Sequence, residues 1–212
     1  MIYARKQKQM IERLIAKGIS DRQVLRAMSA VPRHLFVQPG MEFQAYDEKA
    51  LPIGFDQTIS HPYTVALMTQ TLQIEDHKRI LEIGTGSGYQ AAILCEMGAR
   101  VFTVERIEPL ARRAEGKLKD LGFHFLSRVG DGSLGWPAYA PYDGIIVTAG
   151  APVSPASLLD QLKEGGRCVV PIGDGEGQML TLFIREGREL RKFEIEPLSF
   201  VPLIGRDGWK KP

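Results

Sequence analysis

The most constraining stretch of this chain is Ile80-Leu81-Glu82-Ile83-Gly84-Thr85-Gly86-Ser87-Gly88-Tyr89, an aliphatic run that ends in three alternating glycines and passes into a helical pattern at 89–97. Glycines at a strand-to-helix turn leave no Cβ between the backbone and a ligand. Such a unit opens an α/β sheet, and the chain beyond it keeps the same alternation. Aliphatic runs at 79–83, 100–104, 125–129, 143–148 and 167–172 predict five strands. Gly98 closes the first helix. Pro109 opens a second, with Leu110, Ala114, Leu118 and Leu121 at helical spacing before Gly122. Leu158, Leu159 and Leu162 predict a third, stopped by Gly165 and Gly166.

After Gly173 the runs 179–185 and 191–195 flank Glu186-Gly187-Arg188, which leaves room for a hairpin but for no crossover helix. The first 78 residues read differently. Met10, Ile11, Leu14 and Ile15 form one helical stripe, and Ser20 with Gln23 has capping-box spacing ahead of Val24, Leu25 and Met28. The expected fold is therefore α/β, a doubly wound, mostly parallel, seven-stranded Rossmann-like sheet with a C-terminal antiparallel hairpin and an N-terminal helical extension. Residues 1–78 form the extension and 79–212 the core of one structural domain. At 212 residues the chain is long enough to bury a substantial core.

With 27 Lys and Arg against 25 Asp and Glu, the net charge is +2, which argues against nucleic acid as the default partner. Arg112, Arg113, Lys117 and Lys119 share their predicted helix with Glu108, Glu115 and Asp120, the pattern of a solvated face. No apolar run nears the roughly 18 residues of a membrane span, and Arg5, Lys6 and Lys8 precede no signal-like stretch. A cytoplasmic monomer with neither membrane nor nucleic-acid partner is expected. Cys95 and Cys168 read as small buried hydrophobes, not a disulfide. His34, His61, His77 and His124 lack metal-ligand spacing, so no metal is expected.

The glycines are spaced G-x-G-x-G, one residue short of the dinucleotide pattern that seats a pyrophosphate. Glu82 would be ill placed beside a phosphate but suits a cationic amino group. Glu105, directly after the second strand, is placed to accept hydrogen bonds from ribose hydroxyls. Asp131, in Gly130-Asp131-Gly132 after the third strand, is a candidate for an adenine edge. A cationic ligand with ribose and adenine and without phosphate is S-adenosyl-L-methionine. The candidate cofactor set is Glu82, Ile83, Gly84, Thr85, Gly86, Ser87, Gly88, Glu105, Arg106, Asp131 and Gly132.

From about Val31 to Trp209 the chain resembles the protein-L-isoaspartate O-methyltransferase family. Val31-Pro32-Arg33, Ala45-Tyr46-Asp47, Ala50-Leu51-Pro52-Ile53-Gly54, Gln57-Thr58-Ile59-Ser60 and Phe200-Val201-Pro202-Leu203 carry the resemblance, together with the glycine loop. The resemblance implies methylation of the free carboxylate of L-isoaspartyl residues in aged proteins. The methyl ester then collapses to a succinimide that partly hydrolyses to normal aspartate, with S-adenosyl-L-homocysteine as the other product. It also implies that Ser60 is the active-site serine and that Leu51 to Gly54 and the segment after Phe200 meet the substrate backbone; the candidate substrate contacts are Pro52, Ile53, Gly54, Thr58, His61 and Val201, with His61 readable equally as an exposed helix-start residue. The sequence has Gly150 in Thr148-Ala149-Gly150-Ala151-Pro152, where the family pattern leads one to expect alanine.

Pattern alone also allows Ser60 to be a plain helix N-cap before His61-Pro62, and Pro52 to Gly54 an ordinary turn. Base methylation lacks its expected Asn/Asp-Pro-Pro-aromatic element at the end of the fourth strand. A nicotinamide-dependent oxidoreductase and a non-catalytic binding module remain as alternatives on the same fold.

Overall fold

The computed structural model describes residues 2–174 and 177–210. The N-terminal part comprises helices α1 (Ile2–Ala16) and α2 (Arg22–Ala30), a small hairpin of β1 (Leu51–Gly54) and β2 (Gln57–Ile59), and helix α3 (Pro62–Leu72). The remainder runs β3 (Arg79–Ile83), α4 (Tyr89–Glu96), β4 (Arg100–Glu105), α5 (Glu108–Asp120), β5 (Phe125–Val129), β6 (Tyr142–Val147), α6 (Ala156–Leu159), β7 (Leu162–Ile172), β8 (Gln178–Glu186) and β9 (Glu189–Leu198).

Seven strands form one sheet in the order β5-β4-β3-β6-β7-β8-β9. The first five of that order pair in parallel, and β8 and β9 add antiparallel. The order reverses between β3 and β6. Loops leaving the carboxyl ends of these two neighbours diverge there and open a crevice.

Because strand side chains alternate, each strand feeds two cores. Ile80, Val101, Ile146 and Val169 bury against α1 to α5 on one face. Leu81, Val104, Ile145 and Val170 bury on the other, which is covered by α6 and by chain around Tyr142 and Leu203. The N-terminal helices share a core with the sheet: Met10, Leu14, Val24 and Met28 lie in the same cluster as Ile80 and Ile146.

Three local expectations are corrected. The capping-box reading of Ser20 fails because Asp21 is the N-cap of α2 and accepts from the Gln23 and Val24 amides, a shorter reach than Ser20 has. The helix around Leu158 is a single turn. Leu162 pairs with Tyr142 inside β7, and Gly165, at φ +71°, lies in an irregular stretch of that strand instead of stopping a helix. The α1 stripe is narrower than read, since Met10 and Leu14 are buried while Ile15 is exposed. Cys168 is buried, Cys95 partly so, and both are free thiols.

Candidate active site

The crevice at the β3/β6 reversal is a cleft bounded by the glycine loop, the end of β4, and segments from the N-terminal and C-terminal parts of the chain. Its floor is the glycine loop. Gly84, Gly86 and Gly88 take φ of +94°, +53° and +87°, a region that side chains disfavour. Gly84 has a second constraint, because a Cβ there would lie 2.5 Å from Thr148 Oγ1. That hydroxyl donates to the Ile83 carbonyl at 3.0 Å and the Gly84 carbonyl at 2.7 Å, tying the end of β6 to the loop after β3.

Glu105, at the end of β4, is 6% exposed and faces the same cleft. Its Oε2 accepts from the Gly86 amide and its Oε1 from the Ile107 amide, both at 2.9 Å. The carboxylate is thereby held in one orientation, and each oxygen keeps a further lone pair for a ligand hydroxyl. Ile83, Gly84, Thr85, Gly86, Ser87, Arg106 and Gly132 complete the predicted cofactor residues on the wall.

Glu82, Gly88 and Asp131 are not on it. The Glu82 side chain turns inward, fully buried, with Oε2 2.5 Å from the Thr103 hydroxyl, which in turn lies 2.5 Å from the Thr85 hydroxyl. Burial, reinforced by the charge of Glu105, pushes its pKa up to about 8. At neutral pH it is mostly a neutral acid and does not present a carboxylate to a cationic ligand. Alternation explains this, since Ile83 and Glu82 point to opposite faces of β3. Asp131 caps a short 3-10 turn, Gly132–Leu134. It accepts from the Ser133 amide and hydroxyl at 2.9 and 2.7 Å and from the Arg206 amide at 2.7 Å. Partial burial opposes its ionisation, but these hydrogen bonds outweigh it and hold the carboxyl below the usual range. Asp131 thus anchors the C-terminal segment, while its neighbour Gly132 reaches the cleft.

The far wall comes from the N-terminal part. Thr58 and Ser60 line it, and Val201 enters from the C-terminal segment. Hydrogen bonds between Gly150 and both Val201 and Leu203, each 2.8 Å, bring that segment across. The helix cap expected of Ser60 is made by its neighbour: His61 Nδ1 accepts from the Tyr63 amide at 3.0 Å. Partial burial, with Lys17 nearby, lowers the His61 pKa, consistent with a neutral ring accepting at that nitrogen. The Ser60 carbonyl accepts from Arg33, and among the described residues its hydroxyl has no hydrogen-bond partner.

Pro52, Ile53, Gly54 and His61 lie outside the cleft wall. Pro52 is exposed, whereas Ile53 is buried, its Cδ1 3.5 Å from where a Gly86 Cβ would be. The Ile53 carbonyl also accepts from Arg113 on α5. The β1–β2 hairpin is therefore pinned to the glycine loop from above, through a turn in which Gly54, Phe55 and Asp56 all have positive φ.

The sequence reading missed several wall residues, among them Met68, Tyr89 and Thr148. Thr148 had a usable signal, since it follows the strand that the sheet order places beside β3.

This geometry has close relatives. The family model described as protein-L-isoaspartate(D-aspartate) O-methyltransferase (PCMT) matches residues 5–208. A protein-L-isoaspartate O-methyltransferase of Salinibacter ruber is 50% identical over 97% of this chain and 94% of its own. One of Syntrophobacter fumaroxidans is 52% identical over 93% of this chain and 92% of its own. A solved protein-L-isoaspartate O-methyltransferase superposes with a TM-score of 0.86 at 28% identity, covering 95% of this chain and 67% of that one. A Plasmodium falciparum structure in complex with S-adenosyl-L-homocysteine shares the fold, with a TM-score of 0.80 at 24% identity over 93% of this chain and 98% of that one. The resemblance read from the residues between Val31 and Trp209 is borne out along nearly the whole chain, which belongs to the protein-L-isoaspartate O-methyltransferase family.

Proposed function

We propose that the chain methylates the free carboxylate of L-isoaspartyl residues in peptides and aged proteins, using S-adenosyl-L-methionine and releasing S-adenosyl-L-homocysteine. The observation that carries this reading is one cleft with two unlike walls: glycines and Glu105 on one side, the unengaged Ser60 hydroxyl on the other. The residues present fit the cofactor. The loop lets a ligand approach bare backbone, and Glu105 is fixed at the cleft wall with acceptor capacity left over.

When bound, the cofactor supplies an electrophilic methyl on a sulfonium. The protein's task is then chiefly orientation. An isoaspartyl carboxylate is already ionised at pH 7, so no general base is required. A donor at Ser60 Oγ would hold one carboxylate oxygen and leave the other free to be aimed along the line of displacement. Thr58 and Val201 flank that position as substrate contacts, with Pro52, Ile53, Gly54 and His61 shaping the hairpin and helix start around it. Glu82, Gly88 and Asp131 support the cofactor wall from behind it.

No helix among the described residues is long and apolar enough to cross a membrane. We place the enzyme in the cytoplasm as a monomer, with no nucleic-acid or membrane partner, residues 1–78 contributing to the acceptor side of a core formed by 79–212. Tritium-labelled methyl donor with an isoaspartyl peptide should give base-labile label, and the matched aspartyl peptide should give none. Equal labelling of both peptides rules out the specificity.

A further inference from the structure

Arg33, for which the sequence reading names no function, is the largest of the fully buried side chains. It is 0% exposed. Its Nε donates to the Ala45 carbonyl at 2.6 Å and its Nη2 to the Ser60 carbonyl at 2.7 Å. The guanidinium carbon stands 4.8 Å from the centroid of the Tyr89 ring. Ser60 and Tyr89 both line the cleft, so the cation lies directly behind its acceptor wall. Among the described residues it forms no ion pair with a carboxylate. The groups acting on it are phenols, Tyr89 and Tyr46; burial lowers its pKa to about 10, which leaves it charged at neutral pH.

Linking two carbonyls needs a donor, not a charge, and a neutral amide would avoid the cost of burying a cation without an anion. The charge therefore asks for a reason outside the apo fold. An acceptor carboxylate placed at Ser60 supplies one, because it brings a negative group to the cleft-lining residue whose carbonyl the guanidinium already holds.

We propose that Arg33 is a positioning residue for the acceptor: it fixes the Ser60 backbone through the Ser60 carbonyl and biases that end of the cleft toward an anionic carboxylate. The inference rests on the methyl-transfer reading above and adds to it a source of preference for the charged acceptor.

The test compares wild type, Arg33→Gln and Arg33→Lys on an isoaspartyl peptide at saturating methyl donor, with S-adenosylhomocysteine affinity measured separately. Arg33→Gln retains a donor without charge and should raise the peptide KM about 10-fold, leaving S-adenosylhomocysteine affinity within about 2-fold. Arg33→Lys retains the charge but cannot reach both carbonyls as the fork does, and should raise KM only about 3-fold. An unchanged KM in Arg33→Gln overturns the inference. So does an Arg33→Lys as impaired as Arg33→Gln, or a parallel fall in affinity for both ligands, which marks a merely structural residue.

Should Arg33→Gln not fold, competition against the wild type decides. The isoaspartyl peptide should inhibit at least 10-fold better than the same peptide with its free carboxyl converted to the amide, and equal inhibition overturns the proposal. A wild type that labels no isoaspartyl peptide ends the methyl-transfer reading itself, whereas an active wild type with an indifferent Arg33→Gln ends only this one.

Discussion

The two walls of the cleft are built by different means. The cofactor wall is made where β3, β4 and β6 end side by side, and its parts are joined by short links between adjacent strands: Glu105 to the Gly86 amide, Thr148 to the Ile83 and Gly84 carbonyls. The acceptor wall lies outside the seven-stranded sheet. Its pieces come from β2, the start of α3 and the segment near Val201, and are held by long-range bonds such as Arg33 to Ser60 and Gly150 to Val201. The first wall follows from the sheet; the second is attached to it. If that division is real, damage to one wall should leave binding at the other nearly intact.

The largest separation is expected from Gly84→Ala. The new Cβ meets Thr148 Oγ1 at 2.5 Å in a backbone conformation with φ +94°. Either the Thr148 hydroxyl gives up its two carbonyls or the loop moves, at a cost of about 1–3 kcal/mol for the strained backbone alone. Calorimetry should show S-adenosylhomocysteine affinity reduced at least about 100-fold, equivalent to roughly 2.7 kcal/mol. Retention of wild-type affinity would mean that the loop is not the cofactor floor.

Glu105→Gln should cost about 10-fold to 50-fold in the same affinity, because an amide cannot accept at both oxygens from Gly86 and Ile107. Ser60→Ala tests the opposite wall. Turnover should drop about 10-fold, roughly 1.4 kcal/mol of barrier, while S-adenosylhomocysteine affinity stays within about 2-fold. Loss of cofactor affinity in Ser60→Ala would break the division between the walls; unchanged turnover would leave the hydroxyl without a part in orientation.

The same division explains what could be read from the chain. The strands and the glycine loop were legible because a parallel sheet writes itself as buried aliphatic runs alternating with helical spacing, and β3 and β5 begin and end where the runs do. Glu105 was legible from its place after a strand. Glu82 was misread because proximity to the loop in sequence suggested the wall, while strand alternation turns its side chain the other way. On the acceptor side no periodicity joins Arg33, Ser60 and Val201, and only resemblance to a family pointed to Ser60. The N-cap could not be assigned between Ser60 and His61, since the choice depends on which side chain reaches the Tyr63 amide.

The two acids of the cofactor wall give the finest test, since Glu82 and Glu105 differ in orientation and not in type. Glu82→Gln should leave S-adenosylhomocysteine affinity within about 3-fold, because that side chain is off the wall. Its signature belongs to stability instead. The folded carboxyl titrates at about 8, above its ordinary 4.5. Between these values the native protein holds a proton that the unfolded chain has released, so this group's contribution to stability falls as pH rises from about 4.5 to about 8, then levels off. Glutamine removes that slope. The melting temperature of Glu82→Gln relative to wild type should therefore climb by a few degrees between pH 5 and pH 8, with the smallest difference at pH 5. A difference that does not change over this range would show that Glu82 ionises normally in the folded protein, and the distinction between the buried acid and the one that faces the ligand would have to be redrawn.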